Sequence, residues 1–240
     1  MSFLTQLLPL KHRIEVYLSK ACFDSLVVAP ELEYMQSVVN GEAVAMWSQA
    51  WQNKQFRYVR MSYLTSASRI EMLNLTMYPQ VCYDAPLFAT DIVVVNQRLR
   101  VAVIDAMPIF PSETAYWERW ILPFEPLHRQ SLLLAPVYDR KLDWSFHYLG
   151  PCACLATQLP AERFPALFDL WSGYFELYWE LATDAISVCN NRMEQVQEWH
   201  RAYDKEHAAV ESKRNPLLHY FGRALGLRYI HEFLFASTIG

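Results

Sequence analysis

Glycine is scarce, with 6 in 240 residues. Neither GxGxxG nor GxxxxGK[ST] occurs, which argues against a nucleotide held by its phosphates. No apolar run approaches the ~20 residues of a membrane helix. The five cysteines (Cys22, Cys82, Cys152, Cys154, Cys189) are odd in number and contain no CxxC pair, and the start of the chain lacks a signal-like charged and apolar region, so a reducing compartment is expected. Cys152 and Cys154 alone are poor chelators and read as buried thiols. The seven histidines show no HExxH or other ligand spacing, and most read as surface or internally satisfied groups, with His231 packed against the core. A net charge of −4 offers no general attraction to nucleic acid. No Gly/Ser linker or low-complexity run divides the chain, so one domain over 1–240 is expected.

What is present is a hydrophobic chain, 53% apolar and 19% charged, which is ample for a packed core. Phe3 to Val27 reads as a helix beginning near Pro9. From Glu42 the pattern becomes that of strands: Val44–Trp51, Phe56–Leu64, Glu71–Tyr78, Phe88–Val95 and Leu99–Met107, with a further strand within Gly150–Thr157. Turns at Asn53-Lys54 and Ser66-Ala67-Ser68 suit hairpins and hence a largely antiparallel sheet. Ser112 reads as the N-cap of a helix. Between Pro108 and Pro160 the aromatics Trp117, Trp120, Phe124, Trp144, Phe146 and Tyr148 fit either core packing or the lining of a flat ligand's pocket. From Ala161 the period is helical, with a long amphipathic helix through Phe164, Trp171 and Leu181 and a more polar one over Met193–Val210. Strands followed by helices indicate the α+β class.

Two polar residues stand out within the strands. Alternation puts Asn74 on a face with Met72, Thr76 and Tyr78, and Asp91 on a face with Ala89, Val93 and Val95. A carboxyl among valines must be hydrogen-bonded or protonated. It serves either as a structural turn cap or as a group that does chemistry.

The same stretch carries a resemblance. Tyr78-Pro79, Tyr83-Asp84-Ala85-Pro86-Leu87-Phe88, Asp91 and the strand Val101–Asp105 ending in Pro108 are similar to the ferredoxin-dependent bilin reductases. Tyr174–Ala182 (YFELYWELA), Phe221-Gly222 and His231-Glu232-Phe233-Leu234-Phe235 resemble that family's long helix and C-terminal signature, so the likeness spans about residues 40 to 236. It implies a three-layer α/β/α sandwich with a central antiparallel sheet and a bilin between the sheet and the C-terminal helices. It also implies no bound organic cofactor and no metal: reduced [2Fe-2S] ferredoxin delivers single electrons, and the protein supplies protons to biliverdin IXα or dihydrobiliverdin. A second bilin reductase is a further partner the resemblance allows, for channelling of product. A cytoplasmic location is expected, or the plastid stroma for a mature eukaryotic form.

Residue by residue, Asp91 matches the family's central aspartate and is the expected proton donor. Asn74 stands where phycocyanobilin-forming members carry His, and Ser62 where they carry Glu. Asn at that site resembles members that make 15,16-dihydrobiliverdin or phycoerythrobilin. Gapless alignment of the C-terminal landmarks puts Glu211 at the family's last acid, with Ser212 in place of Pro; Asn215-Pro216 is a competing match that needs gaps. Glu211 is therefore the expected second donor, although the run Glu206, Glu211, Lys213, Arg214 also reads as a solvated helix face. Ser62, Thr76, Met107, Gln158, Lys213 and Arg214 are the expected substrate contacts. Gln158 replaces a family arginine, so Lys213, Arg214 or Arg57 would hold the propionates. An acidic ferredoxin would dock on Lys54, Arg57 and Arg60 and on Arg223 and Arg228. Two rival readings are a bilin carrier without turnover and, more weakly, a flavin or nicotinamide reductase.

Overall fold

A computed structural model describes residues 5–67, 69–136 and 147–236. The expectations for Ser68, Trp144 and Phe146 lie outside the described residues.

The chain opens with helix α1 (Leu8–Lys20), strand β1 (Asp24–Leu26), the short helix α2 (Pro30–Glu33) and strand β2 (Tyr34–Val39). A meander follows: β3 (Glu42–Gln52), β4 (Phe56–Ser66), β5 (Ile70–Pro79), β6 (Leu87–Val95) and β7 (Arg98–Met107). Helices α3 (Thr114–Trp120) and α4 (Glu125–Leu134) lead to the edge strand β8 (Cys154–Ala156). The chain then forms α5 (Phe164–Thr183), α6 (Asn190–Arg214), α7 (Leu217–Tyr220), α8 (Arg223–Tyr229) and a π-turn over Ile230–Leu234. The sheet runs β1-β3-β4-β5-β6-β7-β8, with β2 also on β3, and its pairings are antiparallel.

Hairpin chemistry fixes this order. Asn40 and Gly41 (φ 54° and 79°) turn β2 into β3, and Asn96 and Gln97 (φ 49° and 63°) turn β6 into β7. Both central residues of such a turn need positive φ, which Asn and Gly supply at least cost. At the β3–β4 turn, Asn53 Oδ1 accepts from the backbone N–H of Gln55 and Phe56, each at 2.9 Å.

One face of the sheet packs against α1 and α5 through Met61, Leu73, Leu75, Ile92 and Ile104. On α5, Leu167, Trp171, Tyr174 and Tyr178 recur at helical spacing and are fully buried there. Glu71 anchors α1: its buried carboxylate accepts from Gln6 N–H (2.8 Å), Leu7 N–H (3.0 Å) and the Tyr63 hydroxyl (2.6 Å). The opposite face is covered by α6 and the C-terminal helices through Met46, Leu64, Tyr203, Tyr229 and Phe233. The result is the three-layer α/β/α sandwich about a central antiparallel sheet.

Several elements differ from the sequence reading. The first helix stops at Lys20, because Cys22 takes φ 52°, and the chain continues into β1 rather than staying helical to Val27. Strand β2 is an addition to the strands expected from the sequence. Ser112 is not an N-cap; α3 starts at Thr114 behind Glu113, without a side-chain cap. The last strand covers only Cys154–Ala156, and α6 runs from Asn190 to Arg214. His231 is exposed and shares a 3.1 Å hydrogen bond with Ser212, and so does not pack into the core.

Candidate functional site

Strand register places the polar residues in rows across the sheet. Ser48 pairs with Ser62, Ser62 with Asn74, Asn74 with Asp91, and Asp91 with Val103. The next row reads Ala50, Arg60, Thr76, Ala89, Asp105. Side chains alternate along a strand, so both rows look toward α6 while their neighbours form the apolar core behind.

Over these rows lies a cavity of about 370 Å³. Its floor is Arg60, Ser62, Asn74, Thr76 and Asp91, its apolar walls include Met46, Met72, Val93 and Met107, and its roof is Tyr203, His207 and Glu211 of α6. Asn215, Pro216, Tyr229 and Phe235 close the side near the C-terminus. An apolar enclosure with a few convergent polar groups is the general form of a small-molecule site.

The floor is internally bonded. Arg60 Nη1 donates to Asn74 Oδ1, and Asn74 hydrogen-bonds Asp91. Burial raises the Asp91 carboxyl above the usual range, while the Asn74 bond and the Arg60 charge restrain it. Glu211 is raised by burial, restrained by its 2.6 Å bond from Asn215 Nδ2 and raised again by the charge of Asp91. Two carboxyls biased toward their acid forms thus border one cavity, which suits proton donation. The Tyr229 hydroxyl is held between Ser48 (2.9 Å) and Ser62 (2.7 Å), so a trio of hydroxyls occupies the end of the row.

The roof is aromatic. Tyr203 and His207 stack with centroids 3.8 Å apart, and His207 Nδ1 lies 2.8 Å from the Tyr203 carbonyl. Burial pushes His207 down to about 4, so it is neutral at physiological pH and presents a stacking face rather than a cation. Behind it the Tyr78 hydroxyl donates to Asp204 at 2.6 Å, and burial lifts Asp204 to about 6. His200, pushed down to about 3 by burial, lies against Tyr78 with neither ring nitrogen hydrogen-bonded. Asp105, on the row that carries Arg60, accepts from Gly150 N–H at 2.7 Å and is lifted to about 7 by burial. A side chain at Gly150 would collide with that carboxyl, since a Cβ would lie 2.7 Å from Asp105 Oδ1. Asp105 thereby ties down the loop that brings Leu149 to the cavity wall.

The structure gathers Asn74, Asp91, Glu211, Ser62, Thr76 and Met107 around this one space. It does not gather Gln158, Lys213 or Arg214. Gln158 is exposed at φ 60° beyond the edge strand, and the two basic residues are exposed on α6. Arg60 is not a surface docking residue; it is 3% exposed and lies on the cavity floor. Arg57 is half-buried, its guanidinium 4.7 Å over the Tyr78 ring, and does not line the cavity. Lys54 and Arg223 are exposed. Arg228 is exposed but engaged with Glu31 at 3.0 Å and Glu232 at 2.9 Å.

The sequence reading missed Tyr203, His207 and Tyr229 as lining residues, although His200, Tyr203, His207 and Glu211 follow a three-to-four spacing that marks one helix stripe. His200 is an exception among histidines expected to be mostly satisfied or at the surface: it is buried with both ring nitrogens unpartnered. Among the described residues no group of three or more His, Cys, Asp or Glu could hold a metal, and no helix is long and apolar enough to cross a membrane.

A family model described as ferredoxin-dependent bilin reductase matches residues 12–236. The 15,16-dihydrobiliverdin:ferredoxin oxidoreductase of Nostoc punctiforme is 24% identical over 216 residues, covering 90% of this chain and 88% of that one. The protein of the same name from Gloeobacter violaceus is 23% identical, covering 96% and 94%. The phycoerythrobilin:ferredoxin oxidoreductase of Gloeobacter violaceus is 32% identical over 103 residues, 42% of each chain. Among solved structures, phytochromobilin synthase from tomato in complex with biliverdin shares the fold, with a TM-score of 0.80 at 14% identity over 95% of this chain and 83% of that one.

Proposed function

Because this chain belongs to the ferredoxin-dependent bilin reductase family and is an oxidoreductase, we propose that it reduces biliverdin IXα first at the 15,16 methine bridge and then at the A-ring diene, giving phycoerythrobilin. Each stage takes up two electrons and two protons, and each electron leaves one reduced [2Fe-2S] ferredoxin oxidised. The chain's own part is to hold the tetrapyrrole between the sheet and α6, exclude bulk water, and deliver protons to the radical formed after each electron.

Asp91 is the donor to the first stage and Glu211 to the second. The observation that carries this reading is that two half-buried carboxyls, one on the floor and one on the roof, border the same apolar cavity. Asn74 orients Asp91, and Ser62, Thr76 and Met107 shape the floor. A second reading stops at 15,16-dihydrobiliverdin. It is favoured by the engagement of Glu211 with Asn215, which holds that carboxyl back from a ligand, and by the names of the relatives that match over most of their length.

Anaerobic turnover of biliverdin IXα with reduced ferredoxin, followed by absorbance and chromatography, separates them. Phycoerythrobilin forming through a transient dihydrobiliverdin supports the four-electron reading. Dihydrobiliverdin as the end point supports the two-electron one. Tight binding with an unchanged biliverdin spectrum would instead make the chain a carrier.

A further inference from the structure

Among the described residues, Arg60 is the only lysine or arginine lining the cavity. It is 3% exposed, and among the described residues it forms no ion pair. Its Nε is buried without a hydrogen-bond partner, and its guanidinium lies 5.6 Å from the centre of the Phe235 ring. A buried guanidinium with no carboxylate bound to it is costly to the fold, so its position calls for a reason other than stability.

That reason lies in its hydrogen bond to the floor. Arg60 Nη1 donates to Asn74 Oδ1. An amide has one accepting and one donating end, and arginine only donates. The Asn74 oxygen must therefore face Arg60, and its NH2 group is left for Asp91, its neighbour in register. Were the Asn74 side chain reversed, its NH2 would meet the guanidinium and its oxygen would meet the carboxylate, two repulsive contacts in place of two attractive ones. We infer that Arg60 is a positioning residue for Asp91: it fixes the Asn74 amide so that a donor always faces Asp91, and it supplies the positive charge behind the carboxylate that remains after the proton has left. For catalysis this rests on Asp91 being the donor; the arrangement itself exists in the protein without substrate.

The other titratable groups around Asp91 are Glu211, His207 and Tyr203 on α6, Tyr229 on α8 and Asp105 on β7. His207 is neutral and the tyrosines are protonated at physiological pH. Glu211 and Asp105 are acids and can only oppose ionisation of Asp91. Among the described residues, Arg60 is thus the cation in that shell.

The test is a carboxyl titration of the substrate-free protein, labelled with carbon-13 at aspartate and followed by NMR, with Asp91→Asn identifying the Asp91 signal. In Arg60→Gln the midpoint for Asp91 should rise by about one pH unit, roughly a tenfold gain in proton affinity. Arg60→Lys, which keeps the charge, should move it less than half as far. Asn74→Ala should also raise it, and the double variant should rise by less than the sum, since both act through one chain of bonds. An unchanged midpoint in Arg60→Gln, or fully additive shifts, would overturn the inference. Should Arg60→Gln fail to fold, Arg60→Lys and Asn74→Ala complete the same cycle: shifts that fall short of additive support the coupling, and additive shifts overturn it. Native turnover by Asp91→Asn would remove the donor role of Asp91 while leaving the titration result intact.

Discussion

The same four strands, β4 to β7, present two different surfaces. Toward α1 and α5 they show Met61, Leu73, Leu75, Ile92 and Ile104, and the helix they meet carries an apolar stripe. Toward α6 they show Arg60, Ser62, Asn74, Thr76, Asp91 and Asp105, and the buried stripe of α6 is His200, Tyr203, Asp204 and His207. The first interface gains from area removed from water. The second buries polar groups whose hydrogen bonds at best roughly repay their desolvation. One face of the sheet is therefore largely apolar, whereas the other combines an apolar cluster with polar rows that give up stability to hold a cavity and its acids.

This contrast can be broken by substitution. Asp91→Asn should slow biliverdin reduction by about 10³-fold or more, the upper range for loss of a positioned acid, with little loss of folding stability or biliverdin affinity; anaerobic single turnovers and spectral titration check both. On the opposite face Leu75→Ala should cost about 3 kcal/mol in urea unfolding while leaving the order of products unchanged. A changed product pattern in Leu75→Ala would show that the faces are not independent. Glu211→Gln should slow the second stage by on the order of 100-fold and leave the first intact, so that dihydrobiliverdin accumulates.

The remaining expectation concerns pH. Asp105 is lifted from its usual range to about 7, so it adds stability that is fully present below about pH 4 and lost as the pH rises through 7. His200 and His207 act oppositely: pushed down to about 3 and about 4, they add stability that is present above pH 6.5 and lost on acidification. The difference between native protein and Asp105→Asn isolates the first contribution. It should favour the variant by about 4 kcal/mol at pH 8 relative to pH 4, measured by denaturant unfolding at each pH.

The strands of the meander are legible because alternation and turn residues agree locally, and the placement of Asn74 and Asp91 on one face follows from alternation alone. The hairpin at Asn40-Gly41 carries its own signal, yet β2 is hard to see because its sequence, YMQSVV, does not alternate apolar with polar even though its burial does. Glu211 is located only by counting back from the C-terminal landmarks, since its immediate neighbours read as a solvated face. The charge of Arg60 points to the surface, whereas its alternation with Ser62 and Tyr58 places it with the site; for a residue inside a strand, alternation is the better guide. Gln158 fails for a related reason. It follows the short edge strand at φ 60°, where its backbone still bonds Leu99 of β7 while its side chain is exposed. Tyr229 is invisible in the sequence because its role depends on Ser48 and Ser62, more than 160 positions away.

The meander also has a bearing on how the chain is made. Strands β2 to β7 join neighbour to neighbour through short turns, so the sheet can assemble from contacts close in sequence while the ribosome still holds the rest. Both long covering helices emerge later, α5 first and α6 last. During that interval the surface awaiting α6 is the one bearing serine, asparagine, arginine and aspartate, groups that water solvates well and that discourage sticking to other nascent chains. The apolar surface meets its cover sooner, from α1 already in place and then from α5. The polar rows that weaken the finished interface thus make the unfinished one, for all its methionines and leucine, less prone to aggregate until its lid arrives.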